Sequence, residues 1–419
     1  MPHIDLRYGS GTIPLEYDGS QMQVLGHAAG RVPLSDIEIG ERLDDPIGTR
    51  RLEEVVGSED TILIVVPDAT REAGTGQIVN LVVRRLIAAG VNAFNIRIIF
   101  ATGIHRRVTE TEKESILTPF IKQRIRSLDH DARDLMQIVR VGETSDGIPV
   151  ELNRALIDHR HVILIGGISF HYFAGFTGGR KLVCPGLASA RTIAATHKLA
   201  FDCETHRRRD GVGTAMLDGN AVHEAFMEAA SRVQVAFCIS ATVDDEGSVT
   251  GLHCGDLAGS HRAACEAYLA ENTAVIDEKR GLVIVSCGGS PHDVNMIQAH
   301  KALDAAAGAC TDGGTIILLA ECAEGTGRSD FLNWFDTADS AELGRRLCES
   351  YQVNGQTAWS LLEKAERFDI RIVTSLPAEA TEKMRLTSMQ SLARAVSKAG
   401  KEKAGYILPN GARTLVRVA

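Results

Sequence analysis

The chain has 419 residues, a length that suits two domains better than one core. Its 45 Lys+Arg against 54 Asp+Glu leave a formal charge of −9, which excludes a general nucleic-acid binder with a basic stripe. At 44% hydrophobic and 24% charged residues, the composition is that of a folded globular protein rather than a disordered chain.

In chain order, strands are expected at 61–68, 95–103, 136–142, 161–167 and 233–243, then at 281–289, 313–321 and 368–376. These runs are almost wholly apolar, as in parallel strands covered on both faces. Between the first two, Ile78, Val79, Val82, Val83, Leu86 and Ile87 form a helical stripe that Gly90 closes. The fold class expected is α/β: two domains with mostly parallel sheets covered by helices, and an active site in the cleft between them. The polar stretch 271–281 marks a boundary, giving a first domain over 1–272 and a second over 273–404. Residues 405–419 read as two short strands around Pro409-Asn410-Gly411, and either domain is open to them. Residues 290–301 are expected as one helix with Pro291 at its first position.

The N-terminal stretch has neither a basic nor an apolar signal-peptide region. No apolar run approaches the ~20 residues that span a bilayer, so no membrane association is expected. Nine cysteines, with no Cys-x-x-Cys pair, argue against a disulfide framework or a thiolate zinc site. The expectation is a reduced, cytoplasmic protein.

Three strand ends carry chemistry, as ligand-binding loops of α/β sheets do. The first is Asp68-Ala69-Thr70-Arg71, whose guanidinium suits a carboxylate or phosphate. Asp68 as a simple helix cap is the competing reading. The second is Thr102-Gly103-Ile104-His105, followed by a capping box, Thr109-x-x-Glu112. The third is the densest: His171, Lys181 and His197 around Gly175, Gly178, Gly179 and Arg180. Its glycines suggest an anion nest, yet the spacing is not that of a Walker A loop. Neither a dinucleotide Gly-x-Gly-x-x-Gly nor a familiar zinc motif is present. Later, Gln298 and Lys301 share one helix face, which by itself reads better as a solvated surface.

In this order, the segments resemble the nickel-pincer lactate racemase family over nearly the whole chain. The resemblance rests on Asp68-x-Thr70-Arg71, Thr102-Gly103-x-His105, His171-x-x-Ala174-Gly175-x-x-Gly178-Gly179-Arg180-Lys181-x-x-x-Pro185-Gly186, His197, and Gly288-Gly289 with Gln298-x-x-Lys301. It implies a nickel-pincer nucleotide, a pyridinium-3-thioamide-5-thiocarboxylic acid mononucleotide joined to Lys181, with Ni(II) also bound by His197. It further implies racemisation or epimerisation of a 2-hydroxy acid at C2 by reversible hydride transfer, with His105 and His171 as acid–base partners on opposite faces. Arg71 and Lys301 then bind the substrate carboxylate with Gln298 beside them, and Asp68 orients His105 or Arg71. From the loop chemistry, Thr70, Gly178, Gly179 and Arg180 are expected to contact the cofactor phosphate. Cofactor maturation enzymes are implied partners, and an oligomer is compatible with the sequence.

The departures from the family pattern bear on the substrate. Ala69 stands where the motif commonly has His, and Thr196 where Asn often precedes the nickel histidine. Gly355, near Trp359, stands where lactate racemases carry a tryptophan against the small substrate. A substrate larger or more polar than lactate is therefore expected. The competing readings are a nicotinamide-type 2-hydroxy acid dehydrogenase and a non-catalytic homologue that binds a nucleotide or organic acid.

Overall fold

Two six-stranded sheets organise the chain, and each is sandwiched between apolar layers. The computed structural model describes residues 1–26, 31–69, 71, 73–400 and 404–419. From edge to edge, the first sheet runs Val249–Gly255, Val235–Val243, His161–Gly167, Ile62–Pro67, Ile96–Ala101 and Arg126–Leu128. Its pairings are parallel except the antiparallel edge strand Val249–Gly255.

Side-chain alternation explains the burial on both faces. Ile62, Ile64 and Val66 pack in one layer with Ile78, Val79, Val82, Val83 and Leu86 of the helix Thr75–Ala88. Leu63 and Val65 point the other way, into a layer with Val162, Leu164 and Leu182. The predicted helical stripe is therefore the covering layer of the sheet. The expected strand at 136–142 is displaced to Ile138–Glu143, which pairs antiparallel with Pro149–Asn153 outside the main sheet. A tight turn, in which Gly147 N–H donates to the Thr144 carbonyl, makes that local pairing available before any long-range one.

The second sheet is parallel throughout and runs Thr387–Met389, Asp369–Val373, Cys310–Leu319, Arg280–Ser286, Gly405–Leu408 and Met22–Val24. The two C-terminal strands do not pair with each other. Gly405–Leu408 enters this sheet, while Leu415–Val418 pairs with Thr273–Ile276. The N-terminal segment departs from the expected division at residue 1. Its hairpin, His3–Tyr8 with Gly11–Glu16, buries Leu6 and Leu15 against Leu282, Ile284 and Ile317 of the second sheet. The chain thus begins on the second domain, builds the first, and returns.

Residues 290–301 are not one helix. Asn295 caps a short helix, Met296–Ala299, and Pro291 lies in the turn before it. The Asp293 carboxylate fixes that turn by accepting from Gly9 N–H at 2.7 Å and Glu321 N–H at 3.2 Å. Cys203 and Cys348 form a disulfide with a Cα–Cα distance of 5.6 Å, which corrects the expectation of a fully reduced chain. They sit on different domains and become neighbours only when the domains pack. No helix among the described residues is long and apolar enough to cross a membrane.

Ile64 is fully buried in the central strand, whereas Ile37 is 75% exposed. Ile64→Ala is expected to lower unfolding stability by about 2–5 kcal/mol, and Ile37→Ala to stay within about 0.5 kcal/mol. Urea unfolding followed by circular dichroism checks both.

Candidate active site

The first sheet starts in its middle. Ile62–Pro67 is flanked by Ile96–Ala101 on one side and His161–Gly167 on the other, so the strand order reverses there. Chain connections leave in opposite directions at such a point and open a crevice beyond the strand ends. The three segments that follow these strands carry Asp68 and Arg71, His105, and His171 with Lys181.

Asp68 is buried, and its Oδ2 accepts a hydrogen bond from His105 Nδ1 at 2.7 Å. It therefore orients His105 rather than serving as a plain helix cap. With Nδ1 donating, Nε2 of His105 carries the lone pair, and the ring remains half exposed to the cleft. The turn beneath it is held by Gly103, whose φ of +55° suits glycine and whose N–H donates to the Gly186 carbonyl at 2.8 Å. The predicted capping box follows, with the Thr109 side chain and Glu112 each satisfying the other's backbone. Thr70 lies outside the described residues.

His171 stands on the loop after His161–Gly167, with the Phe173 ring edge-on at 4.4 Å. Its Nδ1 accepts from Ala174 N–H at 3.2 Å, which leaves the proton on Nε2. Burial, followed by the nearby cations Lys181, Lys301 and Arg71, holds its pKa well below the ordinary imidazole value. The same charges act on Lys181: burial first, then Arg71, Arg180 and Lys301, push its amine far below its usual pKa. The Lys181 Nζ lies 5.7 Å from the ring centroids of both Phe173 and Phe226. A neutral amine in an aromatic niche is a competent nucleophile and attachment point.

His197 projects from the helix Ala190–Lys198, and its Nδ1 donates to the Ile193 carbonyl at 2.8 Å. That bond fixes the tautomer and frees Nε2 as a lone-pair donor. Burial and Lys181 hold its pKa down to about 3, so the ring stays neutral. Thr196, where the family pattern often has Asn, donates its hydroxyl back to the Thr192 carbonyl at 2.7 Å. Among the described residues, no group of three or more His, Cys, Asp and Glu gathers as a metal cage. A metal held here by His197 would take its remaining donors from a non-protein ligand. A neutral histidine beside a neutral lysine fits that requirement.

The second domain contributes Gln298, within the short helix Met296–Ala299, and Lys301 just beyond it. Lys301 Nζ donates to Gln298 Oε1. Burial and then Arg71 bring the Lys301 pKa down to about 7, while Asp68 opposes the shift. Arg71 and Asp68 of one domain thus face Lys301 of the other across the cleft.

Arg180, expected at the cofactor phosphate, is bonded to the protein behind the loop. It is fully buried and donates to His261 Nε2 at 2.7 Å and to the Ala174 carbonyl at 2.7 Å, with Thr177 and Gly178 carbonyls within 3.4 Å. Its guanidinium binds the loop together from behind. Gly178 and Gly179 follow the same logic. A Cβ at Gly178 would stand 2.7 Å from Ile168 Cδ1, and one at Gly179 would stand 2.6 Å from His261 Cδ2. These glycines are required by close packing under Lys181.

The space expected at Gly355 is filled. A Cβ there would lie 2.7 Å from Leu347 Cδ2 and 2.8 Å from the Trp334 ring. Two residues without an assigned role also border the cleft. Tyr172, beside His171, reaches Thr357 of the second domain with its hydroxyl at 3.1 Å. His292 accepts from Arg413 Nε at 3.4 Å, and burial, then Arg413, Lys301 and Arg71, lower its pKa to about 3. Its place just after Gly288-Gly289, at a strand end of the second sheet, was the available signal.

Comparison with known proteins agrees with this arrangement. Residues 8–208 match the model of the lactate racemase N-terminal domain, and residues 275–416 that of the lactate racemase C-terminal domain. The chain is 31% identical over 339 residues to the lactate racemase of Thermoanaerobacterium thermosaccharolyticum, covering 80% of this chain and 78% of that one. It is 33% identical over 348 residues to the lactate racemase of Lactiplantibacillus plantarum, covering 82% and 80%. The structure of the T. thermosaccharolyticum lactate racemase apoprotein superposes with a TM-score of 0.88 at 26% identity, covering 99% of this chain and 100% of that one. A Thermotoga maritima protein shares the fold with a TM-score of 0.69 at 20% identity, covering 94% and 100%. With both domain models matched in order and the shared sheets carrying the described cleft, the chain belongs to the lactate racemase family and is an isomerase of the racemase type.

Proposed function

We propose that this protein racemises or epimerises a 2-hydroxy acid at C2, using a nickel-pincer nucleotide attached to Lys181 with nickel also bound by His197. The observation that carries the reading is the placement of two histidines, His105 and His171, on separate strand ends bordering one cleft with Lys181, His197, Arg71 and Lys301. When bound, the nucleotide supplies a reversible hydride acceptor for C2. The protein then has to hold the carboxylate and move the hydroxyl proton.

Arg71 and Lys301 hold the carboxylate from opposite domains, with Gln298 fixing the lysine. His105 is ready to take the hydroxyl proton at Nε2, and Asp68 stabilises the imidazolium that results. His171 serves the opposite face. Burial, and then the nearby cations, keep it neutral in the free protein, so the negative charges of the substrate carboxylate and the cofactor phosphate favour its protonated form. Gly178, Gly179 and Arg180 shape the support of Lys181. A substrate larger or more polar than lactate is inferred from the departures at Ala69, Thr196 and Gly355, while Leu347 and Trp334 close the space beside Gly355. A dehydrogenase reading gains nothing from the fold, because no glycine-rich dinucleotide turn follows Ile62–Pro67. In this reading, maturation enzymes load the cofactor before the cytoplasmic enzyme acts.

Peptide mass spectrometry and nickel analysis test the proposal on protein co-produced with maturation enzymes. A mass adduct on Lys181 with near-stoichiometric nickel is expected. An unmodified Lys181 without nickel, where a known family member is loaded, would overturn it. In the loaded enzyme, His105→Ala is expected to slow racemisation about 10²–10⁴-fold, measured by chiral chromatography across 2-hydroxy acids. A strong preference for lactate in that panel would refute the larger or more polar substrate.

Anion binding should also follow the titration of Lys301. Its pKa is lowered to about 7, so it is cationic below that pH and neutral above it. Affinity for a 2-keto acid should therefore fall about tenfold as pH rises from 6 to 8.5, the loss of one charge-assisted hydrogen bond. Arg71 keeps its charge, so binding persists. Calorimetry on Lys301→Met should show the weaker affinity and no such fall.

A further inference from the structure

Seven of the nine cysteines are free and buried. Burial pushes the thiols of Cys184, Cys254, Cys265 and Cys322 up to about 12 and those of Cys238 and Cys310 up to about 11, and that of Cys287 is raised well above its usual value. Such thiols are poor nucleophiles. Cys203 is exposed, Cys348 is partly exposed, and these two are joined. The accessible sulfurs are thus the ones that cross the domain boundary.

Their position matters more than their number. Cys203 lies in the arm that leaves the His197 helix, on the small hairpin Phe201–Asp202 with Arg207–Arg208. That arm rests on the second domain. Phe201 is buried with Leu343 and Leu347 and meets the Trp359 ring edge-on at 5.1 Å. Cys348 closes the other side from the helix Ser340–Glu349, and Lys198 Nζ donates to its carbonyl at 3.3 Å. Gly344 of that helix sits so near the arm that a Cβ would stand 2.8 Å from the His206 carbonyl. The bond therefore staples an interdomain contact continuous with the helix that carries His197.

We propose that Cys203 and Cys348 are a redox modification site, a covalent latch that holds the second domain against the His197 arm and restricts opening of the cleft. Opening proceeds by thiol–disulfide exchange with a small dithiol. A thiolate of the dithiol attacks one protein sulfur and displaces the other as a thiolate, which takes up a proton. The second thiolate of the dithiol then attacks its own bridging sulfur and releases the remaining protein thiolate, which is protonated in turn. Two electrons pass from the dithiol, now a cyclic disulfide, to the protein. Closing is the reverse exchange with the oxidised dithiol. With the latch open, the domain that carries Lys301 is tied to the first by the chain crossings alone and otherwise packs through non-covalent contacts, among them Arg7 to Glu246 at 2.8 Å and Asn410 to Asp245 at 3.0 Å. The consequence for substrate or cofactor entry rests on the proposed function, but the latch does not.

The test uses the full chain equilibrated with oxidised or reduced dithiothreitol, by non-reducing peptide mapping and amide hydrogen exchange. Oxidised protein should yield a Cys203–Cys348 crosslinked peptide. Exchange in 201–209, 296–301 and 340–349 should be at least tenfold slower than in reduced protein. Cys203→Ser and Cys348→Ser should each exchange like reduced protein in both buffers. Absence of the crosslink after oxidation, or a crosslink with unchanged exchange, would overturn the proposal. Neither readout requires cofactor or turnover, so a failed latch and a failed functional reading are told apart.

Discussion

The cleft is organised by like charges brought together out of water. Arg71, Lys181 and Lys301 act on one another across it, and Asp68 already accepts from His105. Burying cations beside cations is unfavourable, and the amines answer by losing their protons more easily. Burial first, and then the same field, keeps His171 and His197 neutral. A protein that tolerates such crowding gains by it only when anions arrive. The fold concentrates positive potential in the cleft, where an anion would relieve it.

The loop that carries Lys181 illustrates how a motif and its physical role can part. Its glycines invite reading as an anion nest, because bare backbone N–H groups bind phosphate. In the folded protein they are also places where another chain segment comes too close for a side chain. Ile168 lies against Gly178, and His261 against Gly179. Arg180 ties the same loop to His261 and to the Ala174 carbonyl. The loop is rigid because it is packed and bonded from behind, and this rigidity places the lysine amine between Phe173 and Phe226. Precise placement of a functional side chain needs such support.

The two domains share the site unequally. The first carries His105, and His171 with Lys181, beyond the two strands that flank Ile62–Pro67 in one sheet, so their mutual positions are set by parallel pairing through that central strand. The second reaches in with Gln298 and Lys301 from a short helix whose turn is fixed by Asp293. What relates the two sets is an interface: Tyr172 to Thr357, Phe201 on Trp359, and the cysteine bridge. Relative movement of the domains therefore shifts Lys301 against Arg71 while leaving the His105–Asp68 pair intact.

The sequence by itself determined what depends on neighbours in the chain. Continuous apolar runs made buried parallel strands, a 3.6-residue stripe made the covering helix Thr75–Ala88, and Thr109 with Glu112 made a helix cap. The ordered polar residues after the strands also pointed to Asp68, His105, His171, Lys181 and His197, since strand ends of a doubly wound sheet must open to one side. Only the tertiary structure decided the rest. The N-terminal strand Met22–Val24 joined the distant second sheet, and Trp334 filled the place beside Gly355. Arg180 turned inward, Asp68 took His105 as its partner, His292 entered the cleft, and Cys203 met Cys348. Each of these is a contact between segments far apart in the chain. Local periodicity carries no record of such distances; they are settled when the two sheets and their layers pack.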